Sequence, residues 1–330
     1  MRAALRLLLC STLIFSASAS RSSCKIFQGY GGGFMVNVLN VIHTVAFNTE
    51  DTETLFFDDS HHFYHCSNTN HSWPVFFNGA VPVPYPEEEQ VLETCTTVTT
   101  DDMFRKRLIV SRKAMGVDPD DLSTREDAAP VKELYMKLAD ATRRVWVLSD
   151  VMQSIVKYET AYVHIMKEHR LVIGIQARGG DKLQEQKGYA TQLAALLAGG
   201  PSAFAAVRRD LGEEKLAGSL CIVVGDDVAV AERMAKVAAD ALGCLIMNRA
   251  IPGPERSAHD AEAFNASPLA HRCYAAQRII ADVEVLAAAD IFVGARLSNV
   301  ASLVAGLRRF VYNKSKATEY DLYGSVLKPF

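Results

Sequence analysis

Arg178-Gly179-Gly180-Asp181-Lys182 directly follows the apolar run Leu171-Val172-Ile173-Gly174-Ile175-Gln176. A guanidinium is a planar fork matched to phosphate, and paired glycines let backbone come close to a ligand. Three more apolar runs end in the same manner: Val223-Val224 in Gly225-Asp226-Asp227, Leu245-Ile246-Met247 in Asn248-Arg249, and Ile291-Phe292-Val293-Gly294 in Ala295-Arg296-Leu297-Ser298-Asn299. Helix capping accounts for an acid at Asp226 or Asp227 and for Ser298 taken singly. Four polar ends together point to a ligand site, and the chemistry suits an anionic nucleotide. Arg178 would meet phosphate, the helix starting at Ser298 would offer free N–H groups, and Asp226 or Asp227 would accept from ribose or base.

The elements that must position these groups are apolar strands without alternation, separated by helical stretches. That pattern predicts an α/β fold with parallel sheets buried on both faces, whose ligands bind at the carboxyl ends of strands. Helices are expected over Val131–Asp140, Asp150–Glu168, Tyr189–Leu211, Val228–Leu242 and Leu269–Ala288 and from Ser298, with a last strand at Phe310-Val311-Tyr312. The first half carries its own β-α-β unit: Lys25-Ile26-Phe27, a glycine turn, the run Phe34–His43, then Thr54–Phe57. The turn, with Gly29, Gly31, Gly32 and Gly33, fails the dinucleotide fingerprint because Phe34 stands where the third glycine belongs. It would still allow close approach of a second substrate. Val81-Pro82-Val83-Pro84-Tyr85-Pro86 reads as an extended surface connection, and Arg105-Lys106-Arg107 as a solvated face.

The 330 residues carry 35 basic and 38 acidic side chains and are 49% hydrophobic. That composition excludes a disordered chain and gives no electrostatic footprint for nucleic acid. Met1–Ala19 reads as a secretory signal peptide: a basic start, an apolar stretch from Leu7, and Ala17-Ser18-Ala19 as the cleavage site. An uncleaved anchor is the alternative, and membrane association is expected only in that case. Cleavage leaves six cysteines for an oxidising compartment, Cys24, Cys66, Cys95, Cys221, Cys244 and Cys273, with open connectivity. Sequons at Asn70, Asn265 and Asn313 suit that route. His61, His65 and Cys66 could supply zinc ligands, but a surface loop with Cys66 in a disulfide is the simpler reading, and no metal is expected. Trp73 and Trp146 are read as packing residues, and His164 and His169 as partly exposed positions on a helix.

Ile173-Gly174-Ile175-Gln176-Ala177-Arg178-Gly179-Gly180-Asp181-Lys182 resembles the strand and basic loop of the α1,6-fucosyltransferases, the nodulation fucosyltransferases and the protein O-fucosyltransferases. Their pattern there is roughly His-x-Arg-Arg-x-Asp-Lys. Val223-Val224-Gly225-Asp226-Asp227 is similar to their strand ending in Thr-Asp-Asp. Ile279–Leu286 with Ala289-Asp290-Ile291-Phe292-Val293-Gly294 is similar to their long helix and last nucleotide-binding strand, and Gly29–Phe34 to their first glycine turn.

The resemblance implies a GT-B glycosyltransferase. Two Rossmann-like domains would face each other across a cleft, residues 20–165 on the acceptor side and 166–330 holding GDP-fucose. Transfer to a glycan or glycoprotein hydroxyl would proceed with inversion, without metal or cofactor, in the Golgi or endoplasmic reticulum lumen or after secretion. Arg178, Lys182 and Glu185 are then the catalytic candidates, Glu185 as the base nearest the family's glutamate position. Arg178, Asp181, Asp226, Asp227, Asp282, Arg296, Ser298 and Asn299 would bind the donor.

The chain departs from the family at Gln176 (histidine), at Gly179 (the second arginine) and at Ala295-Arg296-Leu297 (Thr-x-Ser). These departures support an alternative, a lumenal GDP-sugar-binding pseudo-enzyme. A nicotinamide-dependent oxidoreductase, suggested by the glycine turn and Asp58, is the third reading.

Overall fold

The computed structural model describes residues 24–28, 34–48, 53–58, 66, 72–79, 82–84, 95–98, 129–179, 187–197, 203–249, 264, 266–295 and 298–322. The expected signal segment, the glycine turn, His61 to His65 and the Arg105–Arg107 run lie outside them.

Two parallel sheets organise the chain, as the unalternated apolar runs predict. The first has β1 (Cys24–Gln28), β2 (Thr54–Asp58), β3 (Val83–Pro84) and β4 (Thr96–Val98) in the order β3-β2-β1-β4. The second has β5 (Val172–Ala177), β6 (Leu220–Gly225), β7 (Leu245–Asn248), β8 (Ile291–Gly294) and β9 (Glu319–Asp321) in the order β7-β6-β5-β8-β9. In the second sheet the chain order reverses between β5 and β8, which are paired in parallel through Ile175 and Val293. Crevices for ligands open at the carboxyl ends of strands at such a reversal.

Each helix follows from its sequence. α1 (Phe34–Asn48) follows β1, and α2 (Trp73–Phe76) is one short turn. α3 spans Ala129–Val145 and α4 spans Asp150–Lys167. Ser149 caps α4, its hydroxyl accepting from the Met152 N–H at 3.2 Å and donating to the Val75 carbonyl at 2.6 Å. α5 (Lys187–Leu197) and α6 (Ala203–Leu216) replace the single helix expected over Tyr189–Leu211. Gly199-Gly200-Pro201, poor helix formers, stand between them in the sequence. α7 (Val228–Leu242) starts at an Asp227 cap and stops at Gly243, whose φ of 67° a side chain would resist. α8 (Leu269–Ala288) is buried on all sides from Ile280 to Ala287, and α9 (Asn299–Phe310) follows β8.

The strand expected at Phe310-Val311-Tyr312 is a correction. Phe310 ends α9, where it packs near Tyr135 at 6.1 Å between ring centroids, and the last strand is Glu319–Asp321. Part of the expected proline-rich connection, Val83–Pro84, pairs instead with β2 as an edge strand. Proline tolerates such an edge because its missing N–H is not needed there.

One core runs from the aromatic underside of the first sheet (Phe27, Phe57, Trp73, Phe76, Phe77, Trp146) through α1 and α9 to α8 and one face of the second sheet. A second core covers that sheet's other face with α6 and α7. α8 lies so close to β5 that a Cβ on Gly174 would meet Ala289 Cβ and Leu286 Cδ2, each at 3.1 Å. The six cysteines that follow Cys10 form three disulfides, Cys24–Cys95, Cys66–Cys273 and Cys221–Cys244. Among the described residues no helix is long and apolar enough to cross a membrane.

Candidate donor site at the strand ends

β5 is buried along its whole length, and it delivers Gln176 and Arg178 to the carboxyl end of the sheet. Parallel pairing sets Ala177 opposite Gly225, so the residues that follow, Arg178 and Asp226, leave neighbouring strands together. The Arg178 guanidinium donates to Asp226, and the other Asp226 oxygen accepts the Gly179 N–H at 2.8 Å. Asp226 thus aims the arginine and holds the backbone at Gly179. Asp227 is spent differently: its carboxylate accepts from the Val230 N–H at 3.0 Å as the cap of α7.

Gly179 has a packing reason. A Cβ there would lie 2.7 Å from Asp227 Cβ and 3.1 Å from Val230 Cγ2, too close for any side chain unless the cap of α7 shifts. The glycine that stands where the resembled pattern has a second arginine is therefore built into this packing.

On the far side of β5, the Gln176 amide donates to Ser298 Oγ at 2.8 Å and accepts the Ala295 N–H at 3.4 Å. Ser298, 3% exposed, occupies the cap position of α9, but its hydroxyl bonds no N–H of that helix. Asn299 is the first residue of α9. The helix N-terminus and Arg178 therefore stand at one end of the sheet, on either side of the strand-order reversal.

Asp282 lies within α8 and is held by the arginine at the end of β7. It accepts from Arg249 Nε at 3.1 Å and Nη2 at 2.9 Å, and it pairs with Arg278 at 3.5 Å. Arg249, which follows β7, also donates to Glu159 at 2.7 Å and to the Tyr162 hydroxyl at 3.2 Å, both on α4. Burial disfavours the Arg249 charge, but Asp282 and Glu159 outweigh it and hold the guanidinium protonated above its usual range. This buried network joins α4, α8 and the end of β7. Sequence reading found Asp282 and Arg249 but not their partnership, since 33 residues separate them.

Asp181, Lys182, Glu185, Arg296, Gly29, Gly31, Gly32 and Gly33 lie outside the described residues. So do Asn70 and Asn265, whereas Asn313 is exposed with φ 51°, a region asparagine tolerates. Trp73 and Trp146 are buried packing residues, and Trp146 donates to Glu284 at 2.6 Å. His164 and His169 are exposed. Among the described residues no group of His, Cys, Asp and Glu is arranged to hold a metal ion.

No family model matches the chain, and no curated protein matches it. Solved structures do. NodZ α-1,6-fucosyltransferase, soaked with GDP-fucose, is 12% identical, covers 87% of this chain and 93% of its own, and has a TM-score of 0.47. The fucosyltransferase NodZ from Bradyrhizobium is 12% identical over 87% of this chain and 92% of its own, with a TM-score of 0.48. POFUT1 in complex with GDP is 11% identical over 91% of this chain and 98% of its own, with a TM-score of 0.43. The similarity is one of chain path, and the chemistry of the site rests on the residues of this chain.

Proposed function

We propose that the chain is a secretory-pathway glycosyltransferase that takes GDP-fucose, or a close GDP-sugar, and transfers the sugar with inversion to a glycan or protein hydroxyl. Residues 166–330 hold the donor and residues 20–165 face the acceptor. The observation that carries this reading is the placement of Arg178, oriented by Asp226, at the same end of the parallel sheet as the N-terminus of α9. A guanidinium and a positive helix end are what a diphosphate leaving group needs. The motif resemblance supplies the sugar and the nucleotide base.

In the proposed step the acceptor oxygen attacks the anomeric carbon as the bond from that carbon to the diphosphate oxygen breaks. The electron pair leaves with GDP, which Arg178 stabilises, with Lys182 and Arg296 adding charge. Glu185 takes the acceptor proton. Asp181 and Asn299 support the donor loops, Asp226 and Asp227 border the nucleoside end, and Asp282 orders the flank through Arg249. The glycine turn from Gly29 to Gly33 borders the acceptor. The three disulfides support a route through an oxidising compartment.

Arg178→Ala tests the donor site. Loss of a charged hydrogen-bonding partner, about 1.5–3 kcal/mol, should weaken GDP binding about tenfold or more by calorimetry. Unchanged affinity would place the donor elsewhere.

One observation favours a second reading, a GDP-sugar-binding protein without transfer. The packing at Gly179 leaves no room for a second arginine, so the diphosphate would meet less positive charge. GDP-fucose hydrolysis or transfer on a glycan array, lost in Glu185→Gln, excludes this reading; binding without turnover supports it.

A further inference from the structure

Gln176 is 4% exposed and spans the point where the strand order reverses, from β5 to the first turn of α9. Its two amide ends are not interchangeable. The Ala295 backbone N–H can only donate, so the end facing it is the carbonyl, Oε1. The NH2 end therefore faces Ser298 at 2.8 Å, and an NH2 group can only donate. Ser298 Oγ must accept, and its own proton has to go elsewhere. Among the described residues no acceptor receives that proton, and the hydroxyl does not cap α9. A serine at a helix cap ordinarily accepts from the N–H groups of the first turn. Here its lone pair is engaged by the glutamine instead, from 122 residues away in the sequence.

We propose that Gln176 is a positioning residue that fixes the direction of the Ser298 hydroxyl, so that its proton is donated to an oxyanion of the bound ligand. This inference rests on the reading of the site as a diphosphate site and deepens it. It assigns Ser298 as a hydrogen-bond donor to phosphate oxygen, with a polarity set by Gln176 and by the Ala295 N–H. The resembled pattern has a histidine at this position, whose ring nitrogens change between donor and acceptor with protonation. Glutamine sets one polarity at every pH.

Gln176→Glu keeps the shape and reverses the polarity. One carboxylate oxygen still accepts from Ala295, but the other now accepts the Ser298 proton and turns it away from the ligand. GDP and pyrophosphate should bind about tenfold or more weakly at pH 8. Affinity should recover towards pH 5.5, because a protonated carboxyl again donates to Ser298 Oγ. Guanosine, which has no phosphate, should bind wild type and variant alike, and wild-type binding of GDP should show no such recovery.

GDP affinity at pH 8 equal to wild type, or an equal loss for guanosine, overturns the proposal. Ser298→Ala, a smaller change, serves if the glutamate variant does not fold: it should lose GDP affinity and keep guanosine affinity, and full GDP affinity overturns the proposal. Wild-type protein that binds neither GDP nor pyrophosphate overturns the parent reading, and this one falls with it. A wild type that binds GDP while Gln176→Glu binds it equally at pH 8 defeats only the role of Gln176.

Discussion

In the first sheet the two central strands β1 and β2 are five residues long, and the outer strands β3 and β4 have two and three. Its core is aromatic: Phe27 stacks on Phe57 at 5.7 Å, and Trp73 lies 4.8 Å from Phe57 and 4.5 Å from Phe77. A disulfide ties Cys24, in β1, to Cys95, just before β4. In the second sheet β5 and β6 pair over six residues, the core is mostly aliphatic, and helices cover both faces. The two sheets share the order of their first four strands, and among the described residues the second is the wider, with a fifth strand and a core on each face. Short strands bury little area, so the first sheet depends on large rings, a covalent staple and the core it shares with α8 and α9. The polar groups at the strand ends sit on the sheet that holds its own shape, where a rigid support keeps them in register.

The largest expected effect tests how far the second sheet stands alone. Arg308 in α9 is fully buried and donates to the carbonyls of Ala289 at 2.6 Å and Asp290 at 2.9 Å, which follow α8, and to Thr318 Oγ1 at 2.7 Å. Glu319 in β9 pairs with it at 3.6 Å and with Arg309 at 2.6 Å. Burial pulls the Arg308 guanidinium down to about 10 against the opposing pull of Glu319, so it stays charged at neutral pH. Arg308→Met leaves buried carbonyls unpaired and should cost about 3–5 kcal/mol, read from denaturant or thermal unfolding. Because α9 also packs on α1 and α3, the loss should shift one cooperative transition. A melt that splits in two would show that the sheets unfold independently.

Cys24→Ser with Cys95→Ser should come next, at about 2–4 kcal/mol, because the bond closes a long loop with a sequence separation of 71. The comparison sharpens if that variant, folded at low temperature, still binds GDP as tightly as the wild type. A large loss of GDP affinity would mean that the first sheet shapes the proposed donor site directly.

Much of this layout was legible in the sequence because a parallel strand buried on both faces is a continuous apolar run, as in Val172–Ala177 and Leu220–Gly225. The β-α-β unit of the first half was visible for the same reason. Phe310-Val311-Tyr312 misled because a short apolar run reads alike at a helix end and in a strand. At the site, the strand-end groups could be found from their position, but not how each is used. Asp226 and Asp227 are neighbours with the same side chain, yet one orients Arg178 and the other caps a helix. Sequence periodicity carries no sign of that division, nor of Gln176 reaching Ser298, because both depend on which strands lie side by side.

The smallest effect concerns the end of the second sheet away from the site, where β5 and β8 begin. Lys314 donates to the carbonyls of Ala288 at 2.6 Å and Ala289 at 2.5 Å, and Lys167 donates to Ala288 at 3.2 Å and pairs with Asp290 at 3.2 Å. Burial, with the nearby charges of Arg308 and Lys167, draws the Lys314 ammonium down to about 7. An unfolded lysine holds its proton to about 10.4. Between those two values the unfolded chain binds more protons at this residue than the folded one, so stability gains a rising component with pH. Below about 7 both states are protonated and the component is flat. Lys314 is only partly buried, so solvent screening keeps the slope shallow. Lys314→Met should remove that component, and the difference in unfolding free energy between wild type and variant should change between pH 7 and pH 9 but not between pH 5 and pH 6.5. A pH-independent difference across the whole range would mean that the helix-end carbonyls hold the ammonium charged. The amino end of the sheet would then carry a charged contact of its own, opposite the Arg178–Asp226 pair at the carboxyl end.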